Sequence, residues 1–336
     1  MSPSSTSSSS GKRALLLCLG ILLLLEFGVA RRDWVWRLDP RRPVGILLAV
    51  EDEIIRPAGD VRVAALGSSV LRDALLPRVF EEAAGLPVGS VLNTSLPNAT
   101  PFDFVLIYER NRQVFAGAEL LLVGIEDWFF YEELGVSARY HRWATLADRF
   151  ADYSGAKRLQ LTVSWLWKTY AARQAFALDG LSAALQGERA EVIGDDGRTK
   201  WRPEEHALGT DTFDLGPYEF RLRERRWRDR PLRYLARLLE LAGEDGVPVV
   251  IVRMPMRATA FRLRGQVDAE AELRLQSALA TVRDAGVPSR LLDLPTGATV
   301  GLQDRHFLDE RHLGTRGAEI FSRYLAAWAI ETYALR

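Results

Sequence analysis

Residues 61–69 read VRVAALGSS, and this stretch indicates the class of fold. Its apolar run, Val61–Leu66, is typical of a strand buried on both faces, and the Gly-Ser-Ser that follows is typical of a tight turn into a helix. Four further runs of the same type follow along the chain, namely Ser90–Asn93, Glu119–Ile125, Val247–Met254 and Arg290–Leu294. Because helical patterns separate the first three runs, the sequence predicts an α/β fold with a doubly wound, parallel sheet.

Helical patterns occupy the gaps between these strands and the end of the chain. Leu71–Ala84 and Phe104–Ala116 lie between the first three strands. Thr315–Tyr333 carries apolar residues at helical spacing and is expected to form an amphipathic helix with Thr315 as its N-cap.

A long helical stretch interrupts the alternation of strands and helices. Helical patterns cover Ser137–Tyr153, Leu159–Leu185 and Pro217–Ala242, and a polar, loop-like piece covers Gly187–Leu215. We interpret residues 128–245 as a helical insertion or cap over the carboxyl edge of the sheet. This insertion would divide the α/β domain into residues 61–127 and 246–336.

The N-terminus has the order of residues found in export signals and membrane anchors. Residues 1–13 form a Ser-rich stretch that we expect to be a disordered cytoplasmic tail, and it ends in the basic pair Lys12-Arg13. The apolar run at residues 14–30 fits a transmembrane anchor or a cleaved signal peptide, or less favourably a buried helix. An anchor or a signal would place residues 31–336 outside the cytoplasm, with residues 31–60 as a connector that holds a short helix near Gly45–Ile55.

Composition excludes several classes of function. The chain has 336 residues with 44 Lys and Arg against 44 Asp and Glu, so its charge provides no general attraction to nucleic acid. Cys18 is the only cysteine and lies in the N-terminal apolar run, which excludes an intrachain disulfide and a cysteine-based metal site. No His or acidic cluster has the spacing of a metal site, and we expect no metal and no cofactor.

Ser69 is the first residue with a possible chemical role. A serine at the carboxyl end of a central strand faces the amino end of the following helix, where backbone N–H groups and the helix dipole favour a developing negative charge. The alternative is that Gly67 only makes a tight turn and that one of the two serines only caps the helix.

The segment Phe307–Ala318, FLDERHLGTRGA, has the residues that a nucleophilic serine needs. Asp309 lies three residues before His312, so one loop can carry both a base and the carboxylate that orients it. His306 is a rival base and Asp304 a rival carboxylate. The alternative is a solvated Asp and His ahead of a helix cap.

The two segments together resemble the SGNH (GDSL-like) hydrolase superfamily, in particular its divergent bacterial branch of membrane-anchored proteins linked to acylation of surface polymers. In that family the nucleophile is the third residue of a Gly-Asp-Ser block, which here reads Gly67-Ser68-Ser69, and a closing D-x-x-H block matches Asp309 and His312. The resemblance covers about residues 60–127 and 246–335. It implies a catalytic triad of Ser69, Asp309 and His312 on a flavodoxin-like sheet of about five parallel strands.

The sequence departs from this family where the family supplies its oxyanion hole. Asn98 or Pro97 stands near the position of the family's glycine, and Glu126, in GIED, stands where the family has asparagine. An ionised carboxylate cannot donate a hydrogen bond to an oxyanion. The candidate donors are therefore the Ser69 N–H and the side-chain amides of Asn98 and Asn93.

Three charged residues near the expected mouth of the site are candidates for binding substrate. They are Glu126 after the third strand and Arg253 and Arg257 after the fourth. The arginines would suit an acidic substrate.

The resemblance implies a serine-dependent acyl esterase or O-acyltransferase, and the N-terminal apolar run would place it outside the cytoplasm. Its substrate would be an acyl ester or a surface polysaccharide, with a cell-surface glycan or lipid ester as the target and the membrane contacted through the N-terminal helix. The alternative is a catalytically impaired protein that binds a polysaccharide or a membrane-bound acyltransferase. A flavodoxin-like binding module is a third alternative, disfavoured because no glycine-rich phosphate loop follows Val61–Leu66.

Overall fold

The computed structural model describes residues 8–130, 138–167, 214–224, 227–283 and 289–335. Five parallel strands form one sheet in the order β2-β1-β3-β4-β5. They are β1 (Val63–Leu66), β2 (Val91–Asn93), β3 (Leu120–Ile125), β4 (Val249–Arg253) and β5 (Ser289–Asp293). The predicted α/β fold with a flavodoxin-like parallel sheet is confirmed.

The strand order defines where a site can form. The chain passes from β1 outward to β2 and returns on the other side of β1 to form β3, so the order reverses between β1 and β3. In open α/β sheets, ligands bind in the crevice outside the carboxyl ends of the strands at such a switch point. The residues that follow β1 and β3 are therefore the first to consider.

Helices connect the strands of this sheet along the chain, and further helices precede it at the N-terminus. In chain order they are α1 (Ser8–Leu23), α2 (Asp33–Trp36), α3 (Pro43–Val50), α4 (Ser69–Ala74), α5 (Pro77–Ala84), α6 (Pro101–Arg110), α7 (Arg112–Phe115), α8 (Ala138–Trp143), α9 (Leu146–Asp152), α10 (Gly155–Leu166), α11 (Gly216–Glu224), α12 (Arg230–Glu244), α13 (Ala258–Val267), α14 (Ala271–Arg283) and α15 (Thr315–Tyr333). Short π-helical segments, Leu24–Ala30 and Glu51–Ile55, continue α1 and α3, and 3₁₀ turns occur at Asp127–Phe130, Gly297–Val300 and Asp304–His306.

Four of the predicted helical stretches are divided, and two of these, Ser137–Tyr153 and Pro217–Ala242, form α8 with α9 and α11 with α12. The stretch Leu71–Ala84 breaks before Pro77, because the proline ring disfavours a helical conformation at Leu76, whose φ and ψ are −91° and 105°. The stretch Phe104–Ala116 breaks at Asn111, which has φ −126° and ψ 29°.

Helix α15 has the predicted bounds but a different cap. Its N-cap is Gly314, and Thr315 is already the first helical residue, so the prediction of Thr315 as N-cap is wrong. The helix buries Phe321 and Leu325 in the core that also contains Leu71 and Phe80.

Two glycines allow α4 to lie close against the sheet. A Cβ at Gly67 would lie 2.6 Å from Cβ of Leu71, and a Cβ at Gly124 would lie 2.9 Å from the same atom. Leu71 of α4 thus packs directly over β1 and β3, which fixes the amino end of α4 at the switch point.

The chain divides into two compact units. Among the described residues, one unit contains 8–48 and 138–167, and the other contains 49–130 and those from 214 onward. The described parts of the predicted insertion are thus divided between the units. Most of the predicted loop Gly187–Leu215 and of the predicted helix Leu159–Leu185 lies outside the described residues.

The N-terminal helix is long and apolar enough to cross a membrane. The candidate span is Gly11–Ala30, with a mean hydropathy of 2.2 and only 11% of the window buried. The helix begins at Ser8, within the stretch that was expected to be disordered.

Candidate active site

The turn after β1 separates the roles of the two serines. The Ser68 hydroxyl accepts a hydrogen bond from Val70 N (3.1 Å), so Ser68 is the N-cap of α4. Ser69 is the first residue of α4, and its Oγ lies 2.9 Å from Nε2 of His312. The capping role thus belongs to Ser68, which leaves the Ser69 hydroxyl in contact with a base.

The loop before α15 brings Asp309 and His312 together. Oδ2 of Asp309 lies 2.6 Å from Nδ1 of His312. Its other oxygen, Oδ1, accepts the backbone N–H groups of Arg311 (2.9 Å) and His312 (2.7 Å). With Nδ1–H donating to the carboxylate, Nε2 is the acceptor that faces the Ser69 hydroxyl.

The electrostatics of the pair favour an ionised Asp309. Burial opposes its charge, but the hydrogen bonds from His312 and Arg311 hold the pKa of Asp309 at about 2. Burial likewise opposes protonation of His312, but the bond to Asp309 and its charge outweigh this effect and raise the pKa of His312 above 6.5. The carboxylate therefore stabilises an imidazolium beside Ser69.

Arg257 fixes the loop that carries this pair. It is only 2% exposed and donates to the carbonyl oxygens of Phe307 (2.7 Å) and Asp309 (3.1 Å). Its own N–H donates to the Glu310 carbonyl (3.0 Å). The expectation that Arg257 faces substrate is thus replaced by a structural role, because its guanidinium satisfies buried carbonyl groups of the loop.

Arg253 is also engaged within the protein. It is 3% exposed, and its guanidinium forms a two-pronged contact with Glu272, both distances being 2.7 Å, and a further bond to Asp293 (3.1 Å). Arg253 lines the small cleft beside Glu126, but these carboxylates neutralise its charge and leave it less suited to binding an acidic substrate than the sequence predicted.

The rival base and carboxylate have other partners. Nδ1 of His306 accepts the N–H of Gln303 (3.0 Å). Asp304 accepts hydrogen bonds from Ala258 N and from Thr259 Oγ1, both at 2.9 Å, at the start of α13. The geometry therefore favours Asp309 and His312 over Asp304 and His306.

The two candidate asparagines have different environments. Asn93 is buried, its amide nitrogen donates to the carbonyl groups of Leu75 (2.9 Å) and Arg72 (3.4 Å), and its oxygen accepts Ser95 N (3.1 Å). Both amide hydrogens are thus used to join β2 to α4, which corrects the expectation that Asn93 serves as an oxyanion donor. Asn98 is exposed, with a left-handed φ of 51°.

Glu126 is buried directly beside the turn that carries Ser68 and Ser69. It is 6% exposed, accepts a hydrogen bond from the Ser68 hydroxyl, and pairs with Nη1 of Arg311 at 3.1 Å. Burial raises the pKa of Glu126, and Arg311 and Ser68 only partly offset this effect. The contacts connect the turn that carries Ser69 to the loop that carries His312.

The sequence motifs did not identify Ser68 or Arg311 as the partners through which Glu126 connects the Ser69 turn to the His312 loop. The guanidinium of Arg311 lies 4.8 Å from the centre of the Trp128 ring, in the geometry of a cation–π contact. The one sequence signal was the position of Arg311 inside the Asp309–His312 block.

A small cleft adjoins the connection. Its wall includes apolar residues, among them Val70, Trp128, Met254 and Met256, together with Glu126 and Arg311. In the part of the chain that the structure describes, no group of three or more His, Cys, Asp or Glu side chains is arranged to hold a metal ion.

Comparisons with known proteins give similarity only at the level of structure. No family model and no curated protein matches the sequence. One similar solved structure is a candidate acylhydrolase from Bacteroides fragilis NCTC 9343, with 9% identity, a TM-score of 0.37, and coverage of 84% of this chain and 95% of that one. Another is a GDSL-like lipase from Bacteroides thetaiotaomicron VPI-5482, with 10% identity, a TM-score of 0.36, and coverage of 82% and 90%.

Proposed function

We propose that this protein is a membrane-anchored, serine-dependent acyl ester hydrolase or O-acyltransferase whose α/β domain lies outside the cytoplasm. The observation that carries the proposal is the continuous contact from Ser69 Oγ to His312 Nε2 (2.9 Å) and from His312 Nδ1 to Asp309 (2.6 Å). The three residues come from the two ends of the domain, and a serine, a base and an orienting carboxylate in this order are the parts of an acyl-transfer site.

In the proposed reaction, Ser69 Oγ attacks the carbonyl carbon of an ester while Nε2 of His312 takes the hydroxyl proton. The tetrahedral intermediate collapses, the alcohol leaves with the proton from Nε2, and the acyl group remains on Ser69. An incoming hydroxyl then gives its proton to Nε2 and attacks the acyl-enzyme, which releases the acyl group and returns the proton to Ser69. Asp309 stays ionised throughout and holds the imidazole in the required orientation.

The incoming hydroxyl decides the reaction type. Water gives a carboxylic acid and makes the protein an esterase, whereas a sugar hydroxyl gives a new ester and makes it an O-acyltransferase. We propose a glycan or lipid ester of the cell surface as the substrate, because an N-terminal anchor would keep the domain next to such polymers.

The amino end of α4 is the proposed site of oxyanion stabilisation. N–H groups in the first turn of a helix have no acceptor within the helix, so the Ser69 N–H is available to a developing oxyanion. Glu126 acts as a positioning residue in this proposal, because its carboxylate is bound to Ser68 and Arg311.

The second candidate function is that of a non-catalytic binder of polysaccharide or of a membrane acyltransferase. It is favoured by Glu126, because this residue places a carboxylate near the nucleophile turn where the related enzymes have a donor. The two candidates differ in whether Ser69 reacts as a nucleophile.

We expect a fluorophosphonate probe to label Ser69 in membranes that contain the full-length protein. The probe phosphonylates a serine that an adjacent base activates, so labelling should require His312 and be lost in His312→Ala. The measurement is labelling followed by mass spectrometry of the modified peptide, with His306→Ala as the matched control that keeps labelling.

The same probe tests on which side of the membrane the α/β domain lies. In spheroplasts, a membrane-impermeant form of the probe should reach Ser69, and labelling only after lysis would contradict the extracytoplasmic placement. A folded protein that no probe labels under either condition would favour the binder.

The buried pair of Glu126 and Arg311 is expected to contribute to the free energy of unfolding. Glu126→Gln should lower the free energy of unfolding by about 3 kcal/mol, at the low end for breaking a buried ion pair, because Arg311 stays 23% exposed. Glu119→Gln, at the other end of β3, is the matched control. Glu119 is 48% exposed in its pair with Arg62, and such a pair is worth about 0–1 kcal/mol. Chemical denaturation measures both, and equal losses in the two variants would show that the Glu126 pair has no special role.

A further inference from the structure

The unit formed by residues 8–48 and 138–167 exposes an apolar helix face. On α10, Leu159, Val163 and Leu166 are 67%, 48% and 56% exposed, and Trp167 directly after the helix is 38% exposed. The spacing i, i+4, i+7 places the three aliphatic side chains on one side of the helix. Monomeric soluble proteins rarely leave such a contiguous face open to water.

The opposite side of α10 is held inside the unit. Arg149 of α9 is fully buried and donates to the Leu161 carbonyl (2.5 Å) and to Ser164 Oγ (3.1 Å) of α10. It also donates to the carbonyl groups of His141 (2.8 Å) and Ala144 (3.2 Å) around α8. Because this guanidinium fixes which side of α10 faces inward, the apolar side is fixed facing outward.

The end of α10 is bound to the end of the candidate membrane span. Arg31, the residue after the span, donates from Nη2 to the Leu166 carbonyl (3.0 Å) and pairs with Glu26 (3.1 Å) inside the span. Arg142 of α8 donates to the Arg31 carbonyl (2.6 Å). The apolar face of α10 therefore starts at the level where the span ends.

The side chains around this junction are those of a membrane interface. Phe27 and Trp34, on either side of Arg31, are 58% and 53% exposed. Trp167 directly follows Leu166, whose carbonyl accepts the hydrogen bond from Arg31. Aromatic side chains are enriched where the hydrocarbon meets the headgroups. Lys157, exposed on α10, adds a positive charge of the kind that contacts lipid phosphates.

We infer that the outward face of α10 docks on the phospholipid bilayer surface, next to the point where the N-terminal helix leaves it. The inference rests on the membrane anchor of the proposed function. The occupant is lipid because the face is continuous with the end of the span and carries the aromatic and basic residues of an interfacial helix. Docking would hold the unit flat against the membrane and limit its rotation about the anchor.

Spin labels at three positions of the full-length protein test this inference. The native Cys18 reports on the span itself. Val163→Cys and Gln160→Cys, each in a Cys18→Ser background, report on the apolar face and on an exposed polar position of the same helix. The protein is reconstituted in vesicles of phosphatidylcholine and phosphatidylglycerol, and collisions of each label with oxygen and with a water-soluble nickel chelate are compared.

Docking predicts that oxygen collisions exceed nickel collisions at Cys18 and at Val163, and that the order is reversed at Gln160. Nickel collisions in excess at Val163 while Cys18 remains in lipid would overturn the docking and leave the anchor intact. Nickel collisions in excess at Cys18 would overturn the anchor itself. Spin–spin broadening at Val163 that disappears on dilution with unlabelled protein would assign the face to a second copy of the chain instead.

Discussion

Ser69→Ala is expected to lower kcat/KM on short acyl esters by about 10⁴-fold or more, because the variant lacks the atom that forms the acyl-enzyme in the proposed reaction. Activity that remains would come from the binding of substrate and from N–H groups at the start of α4. Initial rates with a chromogenic short-chain ester measure the loss, and thermal unfolding of the variant verifies that it is folded.

Ser68→Ala is the matched control, since it changes the neighbouring serine in the same turn. Its hydroxyl caps α4 and contacts Glu126 rather than His312. The loss of a cap costs about 1 kcal/mol of stability, so we expect the variant to keep about a tenth or more of the parent activity. An inactive Ser68→Ala beside an active Ser69→Ala would mean that the nucleophile is assigned to the wrong serine.

The sheet could be predicted because each buried strand is a short run of apolar residues that is visible in the local sequence. A strand covered on both faces needs apolar residues throughout, and all residues of β1 and β3 are buried. The observed bounds of the five strands differ from the predicted ones by at most two residues. The differences arise because turns and neighbouring backbone groups decide where strand pairing stops. The division of the predicted helix Leu71–Ala84 at Leu76 was missed, although Pro77 restricts the residue before it.

The proximity of Ser69 and His312 could be anticipated from the motifs. They are 243 residues apart, and only the order of strands in the sheet brings the carboxyl end of β1 to the loop before α15. The resemblance to a known family implied the triad but not the strand order, and the structure places the two side chains in contact.

The arginines could not be predicted in the same way. Whether Arg253 faces a substrate or a carboxylate depends on Glu272 and Asp293, which reach it from α14 and β5 through tertiary packing. Arg257 likewise depends on backbone carbonyl groups of a loop about 50 residues away. A charge near the end of a strand therefore does not by itself indicate a contact with substrate.

Asp309→Asn is expected to lower kcat/KM by about 10⁴-fold, in line with the same change in a serine protease triad. The amide can accept only weakly from Nδ1–H and cannot stabilise the imidazolium, so His312 loses both its orientation and its charge partner. Asp304→Asn is the matched control, because Asp304 lies in the same segment but binds Ala258 and Thr259 at the start of α13.

The pH dependence gives this prediction a second, independent readout. In the parent, Asp309 raises the pKa of His312 above 6.5, so kcat/KM should fall as the pH is lowered through that raised value and a proton occupies Nε2. Without the carboxylate, burial is left to lower the pKa of His312, and the acidic limb of the residual activity should move to lower pH. An acidic limb that stays in place in Asp309→Asn would mean that His312 is not the base whose protonation stops the reaction. Full activity in that variant would remove Asp309 from the proposed mechanism and return its role to holding the loop through the N–H groups of Arg311 and His312.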